Sequence, residues 1–338
     1  MIDENIAPSG QVEQVDQPAI DTPSCPAVPR ETALRRLIDV LGIDGVAAMF
    51  FWVLTLGLVV AVGGQLRFNL PVMWEPLLGA LLGMAVCFLC RRPFWQGLAE
   101  WGPFVALIAL YVQVEPYTRL VHGRAVDAEL AAIDTFLFGG VPSEMLATHR
   151  HPLLTELMAL GYSCYLILMF TVAPAYIPTA KDPDGTPRMR YRQAFRATQL
   201  ALVLELGLGF FLYMLVPARG PRYFFPDPVP LHGAFGYYDW AIAGWNAMQV
   251  VTDDAFPSLH TATGVISIVF SFRLRRLFRP LPYLAVPPAT ILILSTVYLR
   301  MHYVVDVVAG VANGLFAAWA GAYLVKKFHG ADPDWEDQ

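Results

Sequence analysis

The chain has 338 residues, of which 56% are hydrophobic and only 15% charged; its mean hydropathy is +0.48 and its formal net charge −5. A soluble domain carries about 25% charged residues, so this composition excludes an ordinary water-soluble globule and points to a membrane protein. No basic stripe with interleaved aromatics is present, which argues against a nucleic-acid partner.

In chain order, residues 1–40 read as a disordered cytoplasmic tail: the stretch opens rich in Pro, Asp, Gln and Ser and has no apolar core of a signal peptide. Eight apolar runs follow, at roughly 45–64, 73–90, 102–115, 152–177, 198–216, 258–272, 283–300 and 303–325. A span needs about 20 apolar residues, so the third and sixth are short. The pattern predicts an all-α integral membrane protein, a polytopic helical bundle of about eight spans. Residues 41–128 hold the N-terminal spans, 129–327 a C-terminal membrane core, and 328–338 a second cytoplasmic tail. The long loop at about 116–151 includes Asp134-Thr135-Phe136-Leu137-Phe138-Gly139-Gly140, a stretch expected along the membrane interface. Pro287-Pro288 predicts a kink in the seventh span. Glu205 and Asn313, deep inside spans, read as interhelical hydrogen-bonding groups. Cys25 sits in the polar tail; Cys87, Cys90 and Cys164 fall in apolar runs, where they read as small hydrophobes and not as a disulfide framework.

The basic residues test this layout. With the N-terminus in the cytoplasm, every inside segment carries at least two Lys or Arg, among them Arg91, Arg92, Arg188, Arg190, Arg273 and Arg276. The outside segments hold only Arg67, Arg119, Arg124, Arg150, Arg219, Arg222 and Arg300. The positive-inside rule therefore predicts both termini in the cytoplasm. It also predicts that His260, His302, Asp306, Arg219 and Arg222 meet at the extracytoplasmic face.

Their residue types suit phosphate chemistry. His302 and Asp306 are four apart at the start of the last run and share a helix face, so the carboxylate can fix the imidazole tautomer and leave a lone pair on the other nitrogen, as a nucleophile requires. Taken alone, the same spacing more often just seals a helix end. Pro257-Ser258-Leu259-His260 opens a helix whose first amides can hold an anion, with Ser258 and the Leu259 backbone at phosphate oxygens and His260 placed to protonate a leaving oxygen. Alone, it is an ordinary serine cap. Arg219 and Arg222 leave the fifth span through a Gly-Pro turn; either guanidinium matches phosphate, and either can instead snorkel to the interface. Arg300, two residues before His302, is a third candidate.

The order of these segments, Arg219-Gly220-Pro221-Arg222, then Pro257-Ser258-Leu259-His260, then Ser295-Thr296 with His302 and Asp306, resembles the type 2 phosphatidic acid phosphatase superfamily. The resemblance covers about 130–325. It implies His302 as the nucleophile of a phosphohistidine, Asp306 as its orienting partner, and His260 as general acid and later base. Arg219 or Arg222 and Ser258 would be phosphate ligands. Leu259 replaces the family's usual glycine and Thr296 its second phosphate-binding arginine, a role that would pass to Arg300. Together with Ser295-Thr296-Val297-Tyr298-Leu299 these departures are similar to the inositol phosphorylceramide synthase branch, the inositolphosphotransferases. The expectation is a membrane enzyme, without cofactor, metal or obligate protein partner, that moves a phosphoryl group from a lipid phosphate to an alcohol acceptor. A lipid phosphate phosphatase acting on phosphatidate or polyprenyl pyrophosphate uses the same residues, and a transporter or scaffold with a degenerate core is the non-enzyme alternative. Vanadate-dependent halide oxidation is disfavoured, because such sites resemble soluble proteins.

Overall fold

The computed structural model describes residues 33–63, 102–147, 149–169, 192–226, 230–249, 251–276 and 279–329. Among these, the helices are α1 (Ala33–Gly63), α2 (Gly102–Val121), α3 (Asp127–Phe138), α4 (Pro142–Ala147), α5 (Pro152–Met169), α6 (Arg192–Leu215), α7 (Pro221–Phe224), α8 (Tyr237–Met248), α9 (Leu259–Arg273), α10 (Leu281–Tyr298) and α11 (Val304–His329).

Four of them, α5, α6, α10 and α11, are long and apolar enough to cross a membrane. The protein is an all-α integral membrane protein. The apolar run at 73–90, with Cys87 and Cys90, lies outside the described residues, as does the end of the run at 152–177. The first helix starts at Ala33, ahead of the apolar run expected from 45, and Gly42 (φ 73°) breaks it before the apolar part begins. α10 continues through Pro287 and Pro288 as one assigned helix.

α6 runs through the middle of the bundle, packed by α1, α2, α9 and α11, and α9 is enclosed by α5, α6, α10 and α11. Small residues bring α11 close to α9: a Cβ on Gly310 would lie 2.4 Å from the Ser258 carbonyl oxygen. Deep in the bundle, Thr263 Oγ1 donates to Glu205 Oε1 (3.0 Å) and Asn313 Nδ2 donates to the Glu205 carbonyl (3.1 Å), so α6, α9 and α11 are tied by hydrogen bonds where no water competes.

The alternation of the helices brings the C-terminal ends of α2, α6 and α10 to the same end of the bundle as the N-terminal ends of α5, α9 and α11. Ala218, Ala255, Tyr303, Val126 and Leu130 form a compact core there.

Candidate active site at the shared helix ends

Three backbone segments build the site. The first, 217–222, leaves α6; the second, 251–258, enters α9; the third, 299–303, joins α10 to α11. They are fastened to one another by main-chain bonds. Ala218 and Asp254 form a parallel bridge, with the Ala255 amide donating to the Ala218 carbonyl (2.8 Å). The Arg222 amide donates to the Arg300 carbonyl (2.8 Å), and the Ser258 amide to the Asp306 carbonyl (3.0 Å). Gly220 (φ 87°) lies flat on the third segment, where a Cβ would meet the Met301 carbonyl oxygen at 2.2 Å.

His302 is buried, and its Nδ1 lies 2.8 Å from the Ala255 carbonyl oxygen. A carbonyl only accepts, so Nδ1 carries the hydrogen and Nε2 keeps the lone pair. Asp306 Oδ2 is 3.6 Å from the same Nδ1 and accepts from the Tyr303 amide (2.9 Å). As the third residue of α11, Asp306 reaches back to the residue before the helix, which is half of a capping box. The carboxylate therefore orients the turn bearing His302 as well as facing its ring.

His260, in the first turn of α9, has its ring centroid 5.7 Å from that of His302. It stacks on Tyr162 (4.4 Å) and meets Tyr165 at a tilt (4.3 Å), two rings that the three-residue spacing on α5 puts on one face. Ser258 caps α9, its Oγ accepting from the Thr261 amide (3.3 Å). It is fully buried, so its hydroxyl oxygen is engaged inward. The amides of Leu259 and His260, first in the helix, have no acceptor within it. The Leu259 side chain fills the core against Gly209 of α6, which explains why a side chain is accommodated where a glycine was expected.

The arginines are placed differently from one another. Arg219 is largely exposed and its Nε donates to Asp253 Oδ1 (3.0 Å). Arg222 donates to the Tyr223 hydroxyl (2.7 Å) and to Asn246 of α8, and lies over the Tyr223 ring. Arg300 is turned away from His302. Its guanidinium donates to both oxygens of Glu144 (2.7 and 3.0 Å) and to the Phe225 carbonyl (3.1 Å), and only 1% of the residue is exposed. The backbone at Arg300 is left-handed (φ 62°), which sends the side chain under α4.

Several carboxylates were not singled out by the sequence. Asp127 accepts from the Arg219 and Gly220 amides (3.1 and 2.8 Å) and from the Tyr303 hydroxyl (3.2 Å). Asp134 accepts from Val304 and Val305, the first two amides of α11 (2.8 and 3.0 Å). Two turns apart on one face of α3, they anchor the arginine segment and the start of α11 to the same helix. Glu156 of α5 takes the amides of Phe235, Tyr237 and Tyr238 (2.7, 3.1 and 3.0 Å) and so seats α8. Asp254 accepts from the Tyr111 hydroxyl (2.8 Å). Burial pushes its carboxyl up to about 6, against the opposing effects of the Tyr111 bond and the neighbouring His302. Among the described residues, no group of three His, Cys, Asp or Glu side chains is arranged to hold a metal ion.

The model of the PAP2 superfamily matches residues 128–320, more than half of the chain. The chain belongs to the PAP2 superfamily. This places it among the lipid phosphatases and phosphotransferases. It is also similar to a protein named inositol phosphorylceramide synthase from Candida albicans, 28% identical over 271 residues, which cover 75% of this chain and 55% of the relative. This PAP2 chain thus spans about half the length of that curated relative. No solved structure matches it.

Proposed function

We propose that the protein transfers a phosphoryl group from a lipid phosphate ester to an alcohol acceptor at the extracytoplasmic face, through a phosphohistidine on His302. The observation that carries this reading is the 2.8 Å contact of His302 Nδ1 with the Ala255 carbonyl, which leaves Nε2 unprotonated and the ring fixed beside His260. Nε2 attacks phosphorus in line, the bond from phosphorus to the leaving oxygen breaks, and His260 gives that oxygen a proton. An acceptor hydroxyl then attacks the phosphohistidine, the phosphorus–nitrogen bond breaks, and His260 takes the hydroxyl proton. The negative charge of a bound phosphate ester favours the protonated His260 that the first step needs. Asp306 orients His302 and favours its positive charge as the ring is phosphorylated.

The equatorial oxygens face the first amides of α9, at Leu259 and His260, together with Arg219 and Arg222. Ser258 shapes that turn as its cap. Arg300 serves the turn and not the phosphate, because its guanidinium is already engaged by Glu144. The side on which the site lies follows from the positive-inside distribution. The acceptor assignment is supported by the relative named as an inositol phosphorylceramide synthase and by Leu259 and Thr296 in place of the commoner residues.

The test uses purified protein and a lipid carrying labelled phosphate. Wild type is expected to give an acid-labile phosphoprotein, His302→Ala none, and added inositol is expected to divert label from free phosphate into a new ester. Label release that ignores every alcohol would make the protein a hydrolase. A phosphoprotein retained in His302→Ala would remove His302 from the mechanism.

A further inference from the structure

Beside the two histidines runs a chain of polar side chains that starts at Arg222 and continues through residues the transfer reaction itself does not use. Arg222 donates to the Tyr223 hydroxyl (2.7 Å), which donates to Gln249 Oε1 (2.7 Å). The Gln249 side chain in turn lies beside Asp254, which receives the Tyr111 hydroxyl (2.8 Å). The chain thus leads from a proposed phosphate ligand to a carboxylate one residue from Ala255, the residue that holds His302. Next to it are aromatic rings: Tyr162 stacks on His260 on one side and meets the Trp245 ring of α8 at a tilt of 57° on the other (4.7 Å). Tyr162 is within electrostatic reach of both Asp254 and Arg222, and Asp254 within reach of His302. Asp254, Gln249, Tyr111, Tyr162 and Trp245 each keep part of their surface open.

A carboxylate repels phosphate, so Asp254 is misplaced as a phosphate ligand. It is well placed for hydroxyl groups, which donate to a carboxylate and accept from an amide. Ring faces flanked by such groups are the surroundings that a cyclic polyol fills, with its C–H faces against the aromatics and its hydroxyls on the polar atoms. A site built to hydrogen-bond a hydroxyl also rejects ligands that lack it, since its buried polar groups would go unpaired.

We infer that Asp254 and Gln249, positioned by Tyr111 and Tyr223, form a hydroxyl-recognition subsite that binds the polyhydroxylated group attached to, or about to receive, the phosphoryl group. The inference rests on the phosphoryl-transfer reading and assigns the specificity of that site. The hydroxyls belong either to the donor's head group or to the acceptor alcohol.

Calorimetry on the full chain in detergent tests this with three probes: inorganic phosphate, inositol 1-phosphate and free inositol. Wild type is expected to prefer inositol 1-phosphate over inorganic phosphate by at least about tenfold, the strength of one hydrogen bond to a charged group. In Asp254→Asn and in Gln249→Met that preference is expected to fall below about threefold, with phosphate affinity unchanged. Intact phosphate binding shows that each variant is folded. Binding of free inositol in the presence of phosphate assigns the subsite to the acceptor; binding of inositol 1-phosphate alone assigns it to the donor. An unchanged preference in both variants, or an equal loss for phosphate and inositol 1-phosphate, overturns the inference while leaving the transfer site standing. Wild type that binds none of the probes overturns both.

Discussion

Arg300 and Glu144 are joined through two hydrogen bonds, Nε to Oε1 at 2.7 Å and Nη2 to Oε2 at 3.0 Å, with the guanidinium inside the protein. Removing one partner of such a pair leaves an uncompensated charge, at a cost of about 3 kcal/mol. Arg300→Met is therefore expected to lower the thermal unfolding temperature in detergent, and Arg300→Met combined with Glu144→Leu to recover part of the loss. Arg219→Ala and Arg222→Ala are expected to act the other way round. They keep the unfolding temperature and raise KM for the lipid phosphate by about tenfold or more. Steady-state kinetics beside a melting curve separates the two classes.

Asp134 supplies both acceptors for the first amides of α11. Asp134→Ala is expected to cost about 1–2 kcal/mol, as loss of a helix cap does. The start of α11 carries Asp306, so kcat is expected to fall while KM stays within about twofold. Hydrogen exchange at the α11 N-terminus should rise in the variant; an unchanged exchange rate would show that the cap is dispensable.

Much of this site is readable from the chain. Pro257 to His260 announces a capped helix start, His302 and Asp306 share a face by spacing alone, and the basic residues place all of them at one end of the bundle. The supporting carboxylates are not readable in the same way. Asp127, Asp134 and Glu156 bind backbone amides some 80 to 170 residues away in the chain, and an amide donor has no sequence signature. The stretch around Asp134 was expected along the membrane interface. Phe136 and Leu137 are exposed, while Asp127 and Asp134 face inward, and only the seven-residue spacing of the two carboxylates hinted at a common face. Arg300 is harder still, because its direction depends on a left-handed turn at a non-glycine residue, which composition does not foretell.

Asp254 gives a pH prediction. Its folded value, about 6, lies above the ordinary carboxylate value, so the folded state holds a proton that the unfolded chain has already lost in that interval. Its contribution to stability is full below the ordinary value, near 4, and declines as pH rises through about 6. Asp254→Asn lacks this dependence. Wild type is expected to lose unfolding temperature relative to Asp254→Asn between pH 4.5 and pH 7, with no further divergence from pH 7 to 8. Parallel melting curves across the whole range would contradict this.

Asp306→Asn tests how His302, the proposed nucleophile, is held. The Ala255 carbonyl keeps the proton on Nδ1 without the carboxylate, so the variant is expected to retain phosphoprotein formation at about one-tenth to one-hundredth of the wild-type rate. His302→Ala is expected to fall by at least about a thousandfold. Rapid-quench trapping of labelled phosphate measures both. Equal losses would make the carboxylate, and not the carbonyl, the decisive partner.

The closest partner of the His302 ring is a main-chain oxygen. Every amino acid supplies one, so no codon change at position 255 can delete it. Side chains around the ring are free to diverge and take new substrates while the imidazole keeps its tautomer, a division that separates what the enzyme acts on from how it acts.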